Sequence, residues 1–525
     1  MENKEIASYF KLCGQLMELH EENKFKVRSY TNAAFQMSRF GEPIEEMDPD
    51  YYGSIPGVGK SMIQEIEDLL DTGKLPVLEE WIAKTPNGVI EMLGIKGIGP
   101  SKVRTIWKDM EIESPGELLY ACNENRLIEL KGFGEKTQTQ VKAAIEFMLD
   151  HKHQYLYASV EGFVDDVIEE FNTINTGHQI AAIEGLGRKT LLVNAIEFGI
   201  TQGAKKPKVD GASIEVSFRE FPQEQFEIQC FQNTAKQEHL DQLNIDPEIS
   251  VSENYTKNGY AFIPVEMREG HQEFEWAKTY QQEDLISDND LKGCLHNHST
   301  YSDGVDTLES MARHLKNEGY EYFGICDHSQ TAVYAGGLNP YDVEVQHREI
   351  DALNAELKPF KIFKGIESDI LSDGSLDYEE DVLRSFDFIV ASVHSAMKMD
   401  EAKATQRLIR AIENPYTKIL GHPTGRLLLS RPGYPIDHKK IIDACAANGV
   451  SMELNANPMR LDIDWRWIPY CMEKEVLVSI NPDAHRISGF EHMRYGVMAA
   501  RKGGLTRNQC LNALGLKEIE AVFAK

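Results

Sequence analysis

The sequence predicts a multidomain chain: a helical N-terminal region, an α+β middle and a C-terminal parallel (β/α) barrel of seven units. Three observations carry that reading. At 525 residues the chain is too long for one ordinary domain. A Gly-x-Gly pattern recurs three times in the first 150 residues. From Leu291 onward, seven short apolar runs end in residues of metal-binding type. A hydrophobic content of 42% with 26% charged residues is globular, which excludes a disordered or fibrous chain. No apolar run approaches the roughly 20 residues needed to span a bilayer, and MENKEIASYF lacks the apolar core of a signal peptide. The eight cysteines include no CxxC pair and read as reduced thiols. A cytoplasmic protein is therefore expected, monomeric and without a membrane partner.

Residues 1–150 follow helical i, i+3, i+4 patterns, as in IASYFKLCGQLMELH and KTQTQVKAAIEFMLD. Within them lie Ile55-Pro56-Gly57-Val58-Gly59, Ile95-Lys96-Gly97-Ile98-Gly99 and Leu130-Lys131-Gly132-Phe133-Gly134. Each is followed, seven positions after its second glycine, by an apolar residue: Ile66, Ile106 or Val141. Such spacing describes a tight hairpin between two helices, with the second helix offering free amides to a phosphate. A lone Gly-x-Gly reads more simply as a helix C-cap, but three copies in one register do not. The pattern resembles the helix-hairpin-helix motif, a sequence-independent binder of the DNA backbone.

Charge constrains how such binding works. The chain carries −29 overall, and residues 1–150 hold 17 Lys and Arg against 26 Asp and Glu, a net of −9. A broad basic surface is excluded. Contact with DNA must be local, through backbone amides at Gly57, Gly59, Gly97, Gly99, Gly132 and Gly134, with a monovalent cation as a further candidate ligand of a hairpin.

Residues 155–285 alternate strand-like stretches (KTLLVNAIEFGI, ASIEVSFREF, QFEIQCF) with short helical ones. Gln281–Asp290 is polar and acidic and reads as a linker. The third region, 291–525, contains CLHNHS, YFGICDHS, IFKGIESD, FDFIVASVHS, KILGHPTG, VSMELNAN and VLVSINPDAH, spaced 27 to 40 residues apart and separated by amphipathic helices. Seven strand–helix units at that spacing predict a parallel barrel one unit short of the usual eight, with its chemistry at the C-terminal strand ends.

Those ends carry the candidate site. His296 and His298 flank one residue at the first; Asp303 follows in a turn; Asp327, His328, Glu367, Asp369, His394, His422, Asp483 and His485 close later strands. A lone buried histidine is usually structural. Repetition at strand ends points instead to a multinuclear metal site, and nitrogen and oxygen donors without sulfur suit Zn²⁺, Mn²⁺ or Fe²⁺.

These residues resemble the PHP (polymerase and histidinol phosphatase) superfamily, whose fold is a distorted (β/α)7 barrel with three divalent metal ions. The resemblance implies one metal on His296, His298, Glu367 and Asp483. A second would share Glu367 and add His394 and His422, and a third would take Asp303, His328 and His485. It places Glu367, His394 and Asp483 among the catalytic residues, and Asp327 and Asp369 behind the ligands as orienters of imidazoles. Clustered divalent ions acidify water toward a pKa of about 7 and neutralise phosphate. Arg426 and Arg460 are candidate phosphate contacts, with a surface salt bridge as the alternative for each.

Helix-hairpin-helix motifs ahead of a PHP barrel resemble the architecture of the bacterial PolX family, family X DNA polymerases. NKFKVRSYTNAA (residues 23–34) extends the likeness into the first region. It implies that residues 155–285 form a family X palm, which should show a Gly-Ser turn, a basic pair and a D-x-D. Here Gly185-Leu186-Gly187-Arg188-Lys189-Thr190 stands at the turn, and the Asp pair falls on Ala195 and Glu197 or on Ile196 and Phe198. The third carboxylate falls on Ser217, and NTAKQEH faintly resembles the family's nucleotide-binding segment. Two-metal nucleotidyl transfer needs at least two converging carboxylates, so a degenerate palm is expected. Where related polymerases place a Schiff-base lysine the chain has Glu65, which cannot form an imine.

The expected function is a metal-dependent phosphodiesterase on DNA, a 3′–5′ exonuclease or 3′-end-processing enzyme of repair. Alternatives are a histidinol-phosphatase-like phosphomonoesterase, residual gap-filling synthesis, and a DNA-binding scaffold with structural metals.

Overall fold

Glycine conformation sets the first region. The computed structural model describes residues 1–123, 126–130, 132–209 and 214–524, and Lys131 of the third hairpin lies outside them. Gly57, Gly97 and Gly132 all have φ between +85° and +99°, where an L side chain would be strained. Gly59, Gly99 and Gly134 are extended and cap the helices Lys60–Thr72, Pro100–Met110 and Glu135–Asp150. Ile66, Ile106 and Val141, the apolar residues seven positions on, are fully buried in the core of this region. The same backbone is thus built three times.

The described chain divides into two compact units, Met1–Lys152 and His153–Lys525. In the second, β1 (Tyr155–Leu156) pairs antiparallel with β3 (Leu192–Val193). β2 (Ile180–Ala182) runs antiparallel to β4 (Ala195–Thr201), and β4 runs parallel to β5 (Glu215–Phe221). QFEIQCF, read as strand-like, belongs instead to the helix Phe226–Thr234. Its alternation of apolar residues suggested a strand, but Phe226, Ile228 and Phe231 are all buried once the segment coils against the sheet and the following helices.

The barrel strands are β6 (Gly293–Cys294), β7 (Tyr322–Ile325), β8 (Lys361–Asp369), β9 (Phe388–Ser392), β10 (Thr417–Leu420), β11 (Ser451–Asn455) and β12 (Val478–Asn481), all parallel and in sequential order. An isolated parallel bridge between Asn297 and Ala484, with the His298 amide donating to the Ala484 carbonyl at 2.8 Å, nearly closes the ring. Period-two alternation then divides the side chains. On β9, Phe388 and Val390 point into the barrel while Ile389 and Ala391 face the helices. The C-terminal helix Leu516–Phe523 plugs the N-terminal mouth, stacking Phe523 on Phe388 at 4.8 Å. That plug leaves the opposite mouth for polar residues.

Gln281–Asp290 is not a free linker. Ile286 is fully buried, its amide donates to the Leu505 carbonyl at 3.0 Å, and Leu285 bridges Thr506. The acidic residues around it cap short 3₁₀ turns: Asp284 and Asp290 accept from the amides of Gln281 and Ser287. Their charge signals capping here, not mobility.

Candidate metal centre

The alternation that packs the barrel also aims its strand ends. On β8, Phe363 faces inward, so Glu367 and Asp369 do too; on β7 the inward Tyr322 and Cys326 predict an inward His328. Glu367 is 1% exposed and sits at the centre. Its Oε1 lies 3.3 Å from His296 Nε2, 3.2 Å from His394 Nε2 and 3.0 Å from His422 Nε2. Its Oε2 lies 3.6 Å from His298 Nε2 and 3.0 Å from His328 Nδ1. Asp483, held at φ +53°, places Oδ1 3.1 Å from His298 Nε2. Asp303 Oδ1 lies 3.2 Å from His485 Nε2 and 3.6 Å from His328 Nε2. Side chains 189 residues apart in the chain, His296 and His485, thus meet in one pocket.

Hydrogen bonds do not account for this cluster. His296 Nε2, both nitrogens of His298, His328 Nδ1 and Glu367 Oε2 are buried, and the short contacts they make to one another and to Asp483 are not aligned as hydrogen bonds. Leaving so many lone pairs unsatisfied in a native interior is expensive unless a cation takes them. Three groupings have donor atoms within 4.8 Å of one another: His298, Asp303, His328 and His485; His296, His298 and Glu367; and His328, Glu367 and His394. The donor set, all imidazole and carboxylate, fits divalent transition metals.

Electrostatics favour the same conclusion. Burial pushes the Glu367 and Asp483 carboxyls up, yet facing imidazoles outweigh it and hold both well below the usual carboxylate range. Burial also opposes the His394 cation, but Glu367 and Asp369 raise that imidazole to about 10. Buried acids here demand positive charge, which divalent ions supply by displacing protons.

The orienting residues are partly those anticipated. Asp369 Oδ1 lies 2.6 Å from His394 Nδ1, leaving His394 Nε2 toward Glu367. Asp327 plays another part. Its carboxylate accepts from Ser299, Ser302 and the Gln346 side chain, and no imidazole among the described residues bonds it. It directly precedes the inward His328, so alternation turns it to the outer layer, where it ties down the loop that carries Asp303. Arg426 is likewise committed. It donates to Asp464 at 2.7 Å and to the Arg460 and Leu461 carbonyls, the salt-bridge alternative for this residue. Arg460 differs: its Nε is 3.7 Å from Asp483 Oδ2 and one terminal nitrogen is buried without a partner among the described residues.

Glu453 was missed as a site residue. Fully buried on β11, it lies 2.7 Å from His296 Nδ1 and accepts from the His422 amide at 2.6 Å and from Asn481 at 3.0 Å. The signal was available: it ends the sixth apolar run, where inward parity matters more than residue type. Glu453→Gln is expected to lower metal affinity about 10- to 100-fold, measured as bound metal per chain during chelator titration.

Two other predicted sites belong to the earlier regions of the chain. At Gly59, Gly99 and Gly134 an added Cβ would meet nothing within 4 Å among the described residues, so each capped helix end is open to a ligand. Pro100 occupies the first turn of the second helix and removes one donor there. In the middle region, Glu197 on β4 stands opposite Ser217 on β5, and Ala195 opposite Glu215. Ile196 and Phe198 point into the core. Glu197, the one carboxylate among Ala195, Glu197 and Ser217, is bound by Arg219 at 2.5 Å, which also holds Glu184 at 3.2 Å. Glu65 is half-buried and accepts from the Tyr30 hydroxyl at 2.7 Å.

Comparison with known families agrees with this layout. Residues 1–75 match the helix-hairpin-helix domain, 89–146 the SAM-like helix-hairpin-helix tandem and 295–457 the PHP domain. A protein of Bacillus subtilis (strain 168) named DNA polymerase/3′-5′ exonuclease PolX is 32% identical over 574 aligned residues, covering all of both chains. A probable phosphatase of Acetivibrio thermocellus is 30% identical over 30% of this chain and 63% of its own. One from Syntrophotalea carbinolica is 26% identical over 42% of this chain and 90% of its own.

Proposed function

This chain belongs to the PolX family, and from that premise we propose that it is a metal-dependent 3′–5′ exonuclease of DNA whose palm no longer transfers nucleotides. The observation that carries the reading is the cluster of buried, unpartnered imidazole and carboxylate atoms around Glu367. Three divalent ions, Mn²⁺ or Zn²⁺ with Fe²⁺ as the alternative, would be held by the ligand sets His296, His298, Glu367 and Asp483; Glu367, His394 and His422; and Asp303, His328 and His485. When bound, such ions acidify water and neutralise the charge of a phosphodiester under in-line attack.

The chain's own residues prepare that site. Asp369 and Glu453 hold the rings of His394 and His296 so that each presents Nε2 to Glu367. Arg460, with a buried unpartnered nitrogen beside Asp483, is placed to hold a phosphate oxygen. The three capped helix ends supply amides for the DNA backbone, a contact that tolerates an acidic protein. Sequence-independent binding follows, because amides read phosphate and not bases.

Loss of synthesis follows from the middle region. Two-metal transfer needs converging free carboxylates, and Glu197 is neutralised by Arg219. Incubation of a 5′-labelled primer on gapped DNA with Mn²⁺ and all four dNTPs is expected to shorten the primer and never extend it. Extension would overturn the degenerate palm; an unchanged primer, single-stranded or gapped, would overturn the exonuclease. The same barrel also suits the phosphatase reading that the relatives' names suggest, but three hairpins then have no role.

A further inference from the structure

Two exposed apolar side chains stand on the lip of the metal centre. Val333 is 82% exposed and Tyr334 63%, on the loop that leaves β7 through the ligand His328. The Tyr334 ring centroid lies 6.1 Å from that of His328. Its hydroxyl lies within electrostatic range of Asp369, Glu367, Asp303 and Arg460, so the ring stands beside the pocket that His328 lines.

The loop is held firmly. Ala332, Ala335 and Leu338 are buried beneath it, and the Leu338 amide donates to the His328 carbonyl at 2.9 Å. The Gly337 amide donates to the Ala332 carbonyl at 3.1 Å, and Thr331 bonds Asp369 at 3.0 Å and Asp377 at 2.9 Å. A ring presented to solvent on a rigid turn loses little freedom when something covers it. The chain carries −29 overall and offers no broad basic surface, so stacking on an aromatic ring supplies attraction for a nucleic acid that net charge does not.

We infer that Tyr334, with Val333 beside it, is the stacking platform for the unpaired nucleobase at a DNA 3′ end while the adjoining phosphodiester enters the metal centre. The inference rests on the exonuclease reading above and adds its substrate determinant. Every base has a π-face, so the platform selects nucleotides without selecting sequence. A phosphate ester lacking a base leaves the ring uncovered.

The test compares two otherwise identical single-stranded oligonucleotides, one ending in an ordinary 3′ nucleotide and one in an abasic tetrahydrofuran nucleotide, with Mn²⁺. Wild-type enzyme should favour the base-bearing end in kcat/KM by about 5- to 150-fold, the equivalent of 1–3 kcal/mol per stacked base. Tyr334→Ala should bring that ratio toward 1, and Tyr334→Phe should keep it. Equal wild-type rates on both ends, or an unchanged ratio in Tyr334→Ala, overturn the platform while leaving the exonuclease standing. Hydrolysis of neither end by wild type overturns both.

Discussion

The His296→Ala, His298→Ala double variant is expected to lose metal-dependent hydrolysis by at least about 10³-fold and to keep its affinity for DNA. Metal ions supply several kcal/mol of transition-state stabilisation, and each 1.4 kcal/mol is a factor of ten. The two rings provide Nε2 atoms beside Glu367 and Asp483, and His298 also stands within the grouping of Asp303, His328 and His485. Their removal therefore empties the first ligand set of both its imidazoles and disturbs two of the three donor groupings. Both side chains are fully buried, so truncation also leaves Glu367 and Asp483 short of compensating charge. Chelator-treated wild type separates the two effects, since it loses the metal but keeps the imidazoles. It should show the same loss of turnover, reversed by Mn²⁺. DNA affinity, read by fluorescence anisotropy, should stay within about twofold in both, because the hairpins are untouched. A double variant that still hydrolyses DNA would remove the barrel mouth as the active centre.

Lys502→Met is expected to destabilise the second unit by about 3–5 kcal/mol, the usual consequence of stripping one partner from a buried ion pair. Lys502 is 3% exposed and donates to Glu269 at 2.5 Å and to the carbonyls of Arg188 and Glu266, each at 3.0 Å. Glu269 also receives Arg188 at 3.4 Å and Lys236 at 3.3 Å. One carboxylate thus joins the middle region to the barrel helix Met493–Lys502 within one compact unit. Burial pushes the Glu269 carboxyl up, but Lys502, Arg188 and Lys236 overcome it and hold it below its ordinary 4.5. A depressed carboxyl contributes in full above the unfolded value of 4.5. That contribution fades as the pH falls through the lower folded value. Urea unfolding between pH 3 and pH 7 should show this acid loss in wild type and much less of it in Glu269→Gln. Equal acid sensitivity in the two proteins would place the linkage elsewhere.

Most of the candidate metal centre was legible because its evidence is local. A strand end has a fixed direction, so residues that close successive apolar runs are bound to gather at one mouth of a parallel barrel. Residue type then marked the candidate donors, from His296 through His485. The exceptions share one cause. Asp327, Asp369 and Glu453 are all acidic residues near strand ends, and only inward parity separates the two that orient imidazoles from the one that clamps a loop. Parity depends on where each strand begins and bends, which type and spacing do not reveal. Arg426 and Arg460 show the same limit. Both are basic and close to ligands, yet three acceptors on the 460–464 turn claim Arg426 and leave a nitrogen of Arg460 unpartnered.

The hairpins were equally plain in the primary structure, since only glycine tolerates φ near +90° at three matching positions. The helix Phe226–Thr234 was not, because a short apolar alternation suits either a strand or a coil packed on two sides. The amino-acid order by itself determined the candidate donors, their ring-like order around the barrel and the repeated hairpins, all properties of residue type at a spacing. Tertiary structure alone decided which acids face the imidazoles, which arginine remains available, and that the acidic stretch before the barrel is pinned to it. Those choices turn on contacts between segments far apart in the chain, where packing and hydrogen-bond satisfaction outweigh local preference.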